Sequence, residues 1–77
     1  MEPYSETNEV DRHVGSRVRL ARLHLQTPPS RLAREIGVSE FELRRIEVGG
    51  LRLSARRLYA LSKALGQPVG FFFEGLG

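Results

Sequence analysis

Apolar residues along this chain recur at intervals of three and four, and the gaps between the recurring sets are filled by serine, proline and glycine. Val14, Val18, Ala21 and Leu25 form the first stripe, which predicts a helix from about Asp11, with Asp11 as N-cap or first-turn acid. Thr27-Pro28-Pro29-Ser30 is expected to stop that helix and to start the next, since proline is tolerated in a first turn but not in an interior. Leu32, Ala33 and Ile36 then mark an inner face of about two turns, closed by Gly37. Ser39 with Glu42 three residues on is a capping box for a third helix with Leu43 and Ile46 inward, ended by Gly49-Gly50. Leu53 is expected to turn inward from the connector. Ser54 caps a fourth helix carrying Leu58, Leu61 and Leu65, and Gly66 ends it. Pro68 introduces a last apolar turn, Val69 to Phe73. No segment has the alternation of a strand, so the expected fold is all-α, a small bundle of four to five helices.

Residues 1–10 lack this periodicity and are expected to be a mobile acidic leader, with one domain over residues 11–77. A chain of 77 residues holds one domain at most and buries only about 60% of its unfolded surface. There is no cysteine, which excludes disulfides, zinc ribbons and thiol catalysis and suits a cytoplasmic setting. No apolar run approaches the roughly 20 residues of a membrane span.

Charge is divided along the chain. Residues 1–11 carry Glu2, Glu6, Glu9 and Asp11 and no basic residue, a net −4, while the remainder sets all 12 basic residues against five glutamates, a net +7. Eleven of those 12 are arginine, whose planar fork suits phosphates and guanine edges. A compact domain of this balance favours a polyanionic partner.

Two short helices joined by a glycine-containing turn, over residues 29–48 of a small basic helical domain, make the helix-turn-helix supersecondary motif. The sequences VGSRVRLAR (14–22), LAREIGVS (32–39), LRRIEVG (43–49) and LSKALG (61–66), with PVGFFFE (68–74) at the end, resemble the phage-repressor and Cro-like (XRE-type) helix-turn-helix family of bacterial transcriptional regulators. The resemblance spans residues 12–74 and implies a lambda-repressor-like DNA-binding domain. It also implies a partly buried structural salt bridge between Arg22 and Glu47.

By the same resemblance, the third helix enters the major groove and Glu40, Phe41, Arg44 and Arg45 fall at or beside base-reading positions. On a wheel of about 100° per residue these four share the outer face with Val48. Glu can accept from cytosine N4, Phe can pack on a thymine methyl and Arg can grip guanine O6 and N7. Arg17, Arg19, Ser30, Arg31, Ser39, Gly50, Leu51 and Arg52 are the expected phosphate contacts, with Arg56 and Arg57 as further candidates. One departure weakens that set: the family clamps a phosphate at the start of its second helix, where this chain has Pro28 and Pro29 and so lacks two amides.

Phe71, Phe72 and Phe73 cannot all face one core from a single turn. The resemblance implies Phe72 and Phe73 inside, leaving Phe71 and Leu76 as an exposed pair for a homodimer interface. His13 and His24 offer no metal spacing and no catalytic set, so neither metal, cofactor, small-molecule ligand nor enzymatic activity is expected. The reading is a sequence-specific, dimeric DNA-binding transcriptional regulator, cytoplasmic and nucleoid-associated, with double-stranded DNA as partner and no membrane. With no effector domain in view, occupying a promoter or touching polymerase would be its mode of action. The alternative is a protein-interaction module, an antitoxin or anti-regulator, that presents the Phe41 and Val48 face to a protein partner.

Overall fold

The computed structural model describes residues 9–76; residues 1–8 of the expected leader lie outside them. Four α-helices follow in order, α1 (Glu9–His24), α2 (Pro29–Ile36), α3 (Glu40–Glu47) and α4 (Ala55–Leu65), and a short 3-10 helix, Val69–Phe73, ends the chain. The helix of residues 9–24 therefore includes Glu9 and Val10, the last two positions assigned to the leader. No helix among the described residues is long and apolar enough to cross a membrane.

Each boundary has a local cause. Gly37 and Gly66 adopt left-handed conformations, φ 77° and 68°, and turn their amides back onto the last carbonyls of α2 and α4. Ser39 and Ser54 cap α3 and α4 by accepting from the Glu42 and Arg57 amides. The end of α1 differs from expectation. The prolines do not stop it; Gln26 does, at φ 57°. Its amide bonds the Leu23 carbonyl at 3.0 Å while the Thr27 amide bonds Arg22 at 3.1 Å, the Schellman pattern without its usual glycine. Pro28 and Pro29 instead open α2 as N-cap and first helical residue. Leu25, placed on the buried stripe by periodicity, lies past the helix end and is 51% exposed.

The core is built from one side of every helix: Val14, Val18 and Ala21 of α1, Leu32, Ala33 and Ile36 of α2, Leu43 of α3, Leu61 and Leu65 of α4, and Phe72. Phe72 is fully buried. A 3-10 helix turns about 120° per residue, so its two neighbours leave the core in opposite directions, and the expectation for them is corrected. Phe71 is half-buried against the core, edge-on to Phe72, and Phe73 rather than Phe71 is the exposed one. Phe73 borders a shallow apolar depression with Val10, Val14, Leu51, Leu53 and Leu58.

One contact has no apolar signature. Gly15 of α1 lies against the backbone of the end of α3, where any Cβ would overlap the Ile46 carbonyl oxygen. Gly49, at φ 81°, likewise lies against Arg12, where a Cβ would crowd its Cα. The two main chains thus touch without side chains between them, which fixes how closely α3 sits to α1.

Gly15→Ala is expected to lower stability by about 2 kcal/mol, within the range for forced overpacking. Gln26→Gly is expected to raise it by up to about 1 kcal/mol, the left-handed strain of about 1 to 2 kcal/mol less the extra freedom glycine gives the unfolded chain. Urea unfolding followed by circular dichroism should shift in opposite directions for the two variants.

Candidate nucleic-acid interface

Eight residues make a helix too short to be stable alone, so α3 must be held by its surroundings. At its start the Glu42 amide donates to Ser39 Oγ at 3.0 Å and the Ser39 amide to Glu42 Oε1 at 3.2 Å, a complete capping box. Along its length Leu43 and Ile46 are buried. At its end Glu47, also buried, receives a two-pronged bridge from Arg22, with Nε to Oε2 at 2.7 Å and Nη2 to Oε1 at 3.0 Å. The remaining Arg22 nitrogen donates to the Thr27 carbonyl at 3.0 Å. One guanidinium therefore ties together α1, the loop leading to α2 and the end of α3. Donating hydrogen bonds to the Glu47 carboxylate holds the Arg22 pKa above its ordinary value, against the opposing effect of burial. A raised folded-state pKa stabilises at every pH below the unfolded value and fades only as pH rises through the folded one, so Arg22 adds no pH dependence in the neutral range.

With that side anchored, the opposite side of α3 faces solvent. Phe41 and Val48 are 70% and 72% exposed. Arg44 Nη2 donates to Glu40 Oε2 at 2.8 Å and Arg45 Nη2 to the Gly50 carbonyl at 3.0 Å. The four expected base-reading residues thus share one ridge, but two of them are paired with each other and a third is braced on the following loop. A furrow runs along each edge of the ridge. Arg19, Pro29, Arg44 and Val48 line one, and Glu42, Arg52, Ser54 and Arg57 line the other.

The expected phosphate contacts separate into outward and occupied groups. Arg19, Ser30, Arg31 and Arg52 are exposed, although Arg31 pairs with Glu35 at 3.6 Å and Arg52 lies 3.7 Å from Asp11. At the start of α2 Pro29 has no amide, and the Arg31 and Leu32 amides both donate to the Pro28 carbonyl, which leaves Ser30. Three more of the expected contacts have partners within the domain. The Gly50 amide is taken by the Arg45 carbonyl at 2.7 Å, because the chain must turn tightly after α3; Leu51 follows half-buried. Ser39 Oγ accepts from the Glu42 amide in the cap, which leaves its hydroxyl hydrogen to donate outward. Arg17 turns toward the C-terminal segment, donating to the Phe71 carbonyl at 2.9 Å and to Glu74 at 3.0 Å, with its guanidinium 4.0 Å from the Phe71 ring centre. That stacking also accounts for Phe71 leaving the exposed pair it was expected to form with Leu76, which is 37% exposed.

His13 joins the same latch, its Nε2 lying 2.6 Å from the Glu74 carbonyl. Sequence reasoning missed this cluster. Its available signal was the spacing of His13 and Arg17, one turn apart on α1, with Glu74 as the sole acid after Glu47.

Residues 18–72 match the family model described as helix-turn-helix. This chain belongs to the helix-turn-helix family. Among curated relatives, an uncharacterized transcriptional regulator in the ATPase CF(0) region of Rhodospirillum rubrum is 46% identical over 77 residues, covering 96% of this chain and 71% of that protein. An uncharacterized helix-turn-helix-type regulator of Sinorhizobium medicae is 38% identical over 74 residues, with 96% and 53% covered. The chain thus spans about half the length of the second relative. Among solved structures, the P22 c2 repressor in complex with a synthetic operator is similar at TM-score 0.74 and 29% identity, covering 80% of this chain and 94% of that one. The clp gene regulator ClgR of Corynebacterium glutamicum shares the fold at TM-score 0.81 and 24% identity, with 86% of each chain covered. The helix-turn-helix of this chain is α2, the Gly37 turn and α3, in the repressor-like arrangement that the sequence resemblance implies.

Glu47→Leu leaves the Arg22 charge buried without a partner and is expected to cost about 3 to 5 kcal/mol, whereas Arg22→Met with Glu47→Leu removes both charges and should recover most of that loss. Urea midpoints of the single and double variants measure the coupling. A double variant no more stable than Glu47→Leu would show that the two side chains do not act as a pair.

Proposed function

We propose that this domain is a sequence-specific DNA-binding regulator of transcription that lays α3 in the major groove. The observation that carries the reading is the exposed ridge of α3 with an arginine-lined furrow on each side. An α-helix with its side chains is about 10 to 12 Å across, and the major groove, about 12 Å wide, admits it with a sugar-phosphate strand on either flank. In that pose Arg19 meets one strand and Arg52 and Arg57 the other. The Ser30 and Leu51 amides and Arg31 add positioning contacts, while Phe41, Arg44 and Arg45 face base edges. Positioning and specifying are thereby assigned to different residues. The operator-bound P22 c2 repressor, similar over most of its length, and the regulators named among the relatives support the same reading.

A homodimer completes the proposal, since helix-turn-helix dimers bind half-sites about one DNA turn apart. With Phe71 given over to Arg17, the apolar residues supporting a second copy at this end are Val69, Phe73 and Leu76.

Selection of bound duplexes from a random pool, followed by salt titration on the enriched site, tests the reading. Affinity should fall linearly in log–log form with added salt. Arg52→Ala should weaken every duplex alike and reduce the salt slope by about 1, whereas Arg45→Ala should cost roughly 1 to 3 kcal/mol at one base pair and relax preference there. A pool that enriches no motif at low salt would overturn the proposal.

A further inference from the structure

The residues on the α3 ridge are not equivalent. Glu40 holds Arg44 across one turn through Oε2 and keeps Oε1 as an acceptor. Arg45 has one of its donors on the Gly50 carbonyl and keeps its others for the groove. Phe41 is different in kind. Its side chain is 70% exposed, and it has no ring partner and no place against the core among the described residues. Lone exposed apolar side chains are common on protein surfaces, so it is where Phe41 stands, and not its exposure alone, that points to a use outside this fold.

Its position narrows that use. Phe41 is the second residue of α3, at the end of a recognition helix that reaches base edges. Viewed down the helix it lies about 60° from Arg44 and about 40° from Arg45, between two side chains able to donate to guanine. Val48, equally exposed, sits two turns farther from that end. Among the groups that base pairs present in the major groove, the apolar one is the methyl on C5 of a pyrimidine. The phosphates and the other base edges offer Phe41 only polar atoms to desolvate.

Resting on the base-reading proposal above, we propose that Phe41 is a specificity-determining residue that reads the 5-methyl group of a pyrimidine beside guanine. The domain then distinguishes thymine from uracil, and 5-methylcytosine from cytosine, at that one position of each half-site. Cytosine methylation elsewhere in the site leaves binding unchanged.

The test uses the whole chain and the duplex enriched by random-pool selection, with each thymine replaced in turn by deoxyuridine and each cytosine by 5-methylcytosine. Removing the methyl at the position Phe41 reads should weaken binding about fivefold, the scale of burying one methyl group, and adding it to a cytosine there should strengthen binding by a similar factor. The deoxyuridine arm identifies thymine as the source of the methyl and the 5-methylcytosine arm identifies methylated cytosine. Phe41→Ala should bind methylated and unmethylated duplexes alike, and Phe41→Leu should retain the discrimination. An enriched motif with no methyl-sensitive position overturns this inference and leaves the base-reading proposal standing, as does sensitivity that survives Phe41→Ala. An equal loss on every duplex in Phe41→Ala overturns it as well, assigning Phe41 a contact without base preference. A pool with no motif overturns the reading beneath it, and a protein partner lost with Phe41→Ala in that case marks the ridge as a protein-binding surface.

Discussion

The placement of α3 depends on one buried ion pair. Leu43 and Ile46 supply most of the attraction that draws this helix onto the domain, but hydrophobic contact is non-directional and tolerates rotation of a two-turn helix about its own axis. The fork between Arg22 and Glu47 does not. Two parallel N–H to oxygen bonds fix both distance and plane, and the third bond, to the Thr27 carbonyl, carries the constraint into the loop before α2. Removing two charges from water costs several kcal/mol, so a buried pair of this kind contributes more to defining an arrangement than to net stability. Gly15 completes the constraint from the other direction, because two backbones in contact leave no slack along the line joining them.

Once α3 is fixed, the arginines divide by what they can reach. Arg22 is consumed by the core and Arg17 by the C-terminal segment, where it stacks on Phe71 and pairs with Glu74. Arg45 is braced but still faces outward. Arg19, Arg52 and Arg57 line the furrows beside the ridge. A net charge counts these residues equally, but a polyanion meets them unequally. The His13, Arg17 and Glu74 cluster has a different consequence: it clamps the last turn to α1 and so keeps Phe72 in the core, although that turn is only five residues long.

Local signals were legible in the sequence and spatial ones were not. Gly37, Gly66, Ser39 and Ser54 each act within a few residues, so their types alone locate the helix ends. Gln26 carries no such mark, because a non-glycine residue in the left-handed region is set by its neighbours' hydrogen bonds. Extending the stripe of α1 to Leu25 followed from the same blindness. Gly15 carries no signal of its role in the sequence, because a backbone contact leaves no apolar pattern. Phe71 and Phe73 were exchanged because three successive aromatics look alike until the angle of the 3-10 helix is known. The Arg22 and Glu47 pair came from the family resemblance rather than from periodicity. Arg17 read as a surface cation because sequence reports its charge and not the direction of its side chain.

The acidic residues of α3 follow from the same division. Glu42 serves the cap, Glu47 the core and Glu40 neutralises Arg44, so none of the three stands as a bare negative charge on the ridge. The positions of Glu40 and Glu42 also suit the helix, since carboxylates near its first turn interact favourably with the dipole while Arg44 and Arg45 lie in its last turn. A ridge assembled this way nets only +1, from Arg45, and in the proposed docking the attraction to phosphate comes mainly from the rims. That separation favours discrimination: a charge facing phosphate binds every sequence alike, whereas groups facing the bases gain only where the base edges match them. Two prolines at the start of α2 push in the same direction by removing phosphate-binding amides. Each contact withdrawn from the backbone raises the share of affinity that the bases must supply.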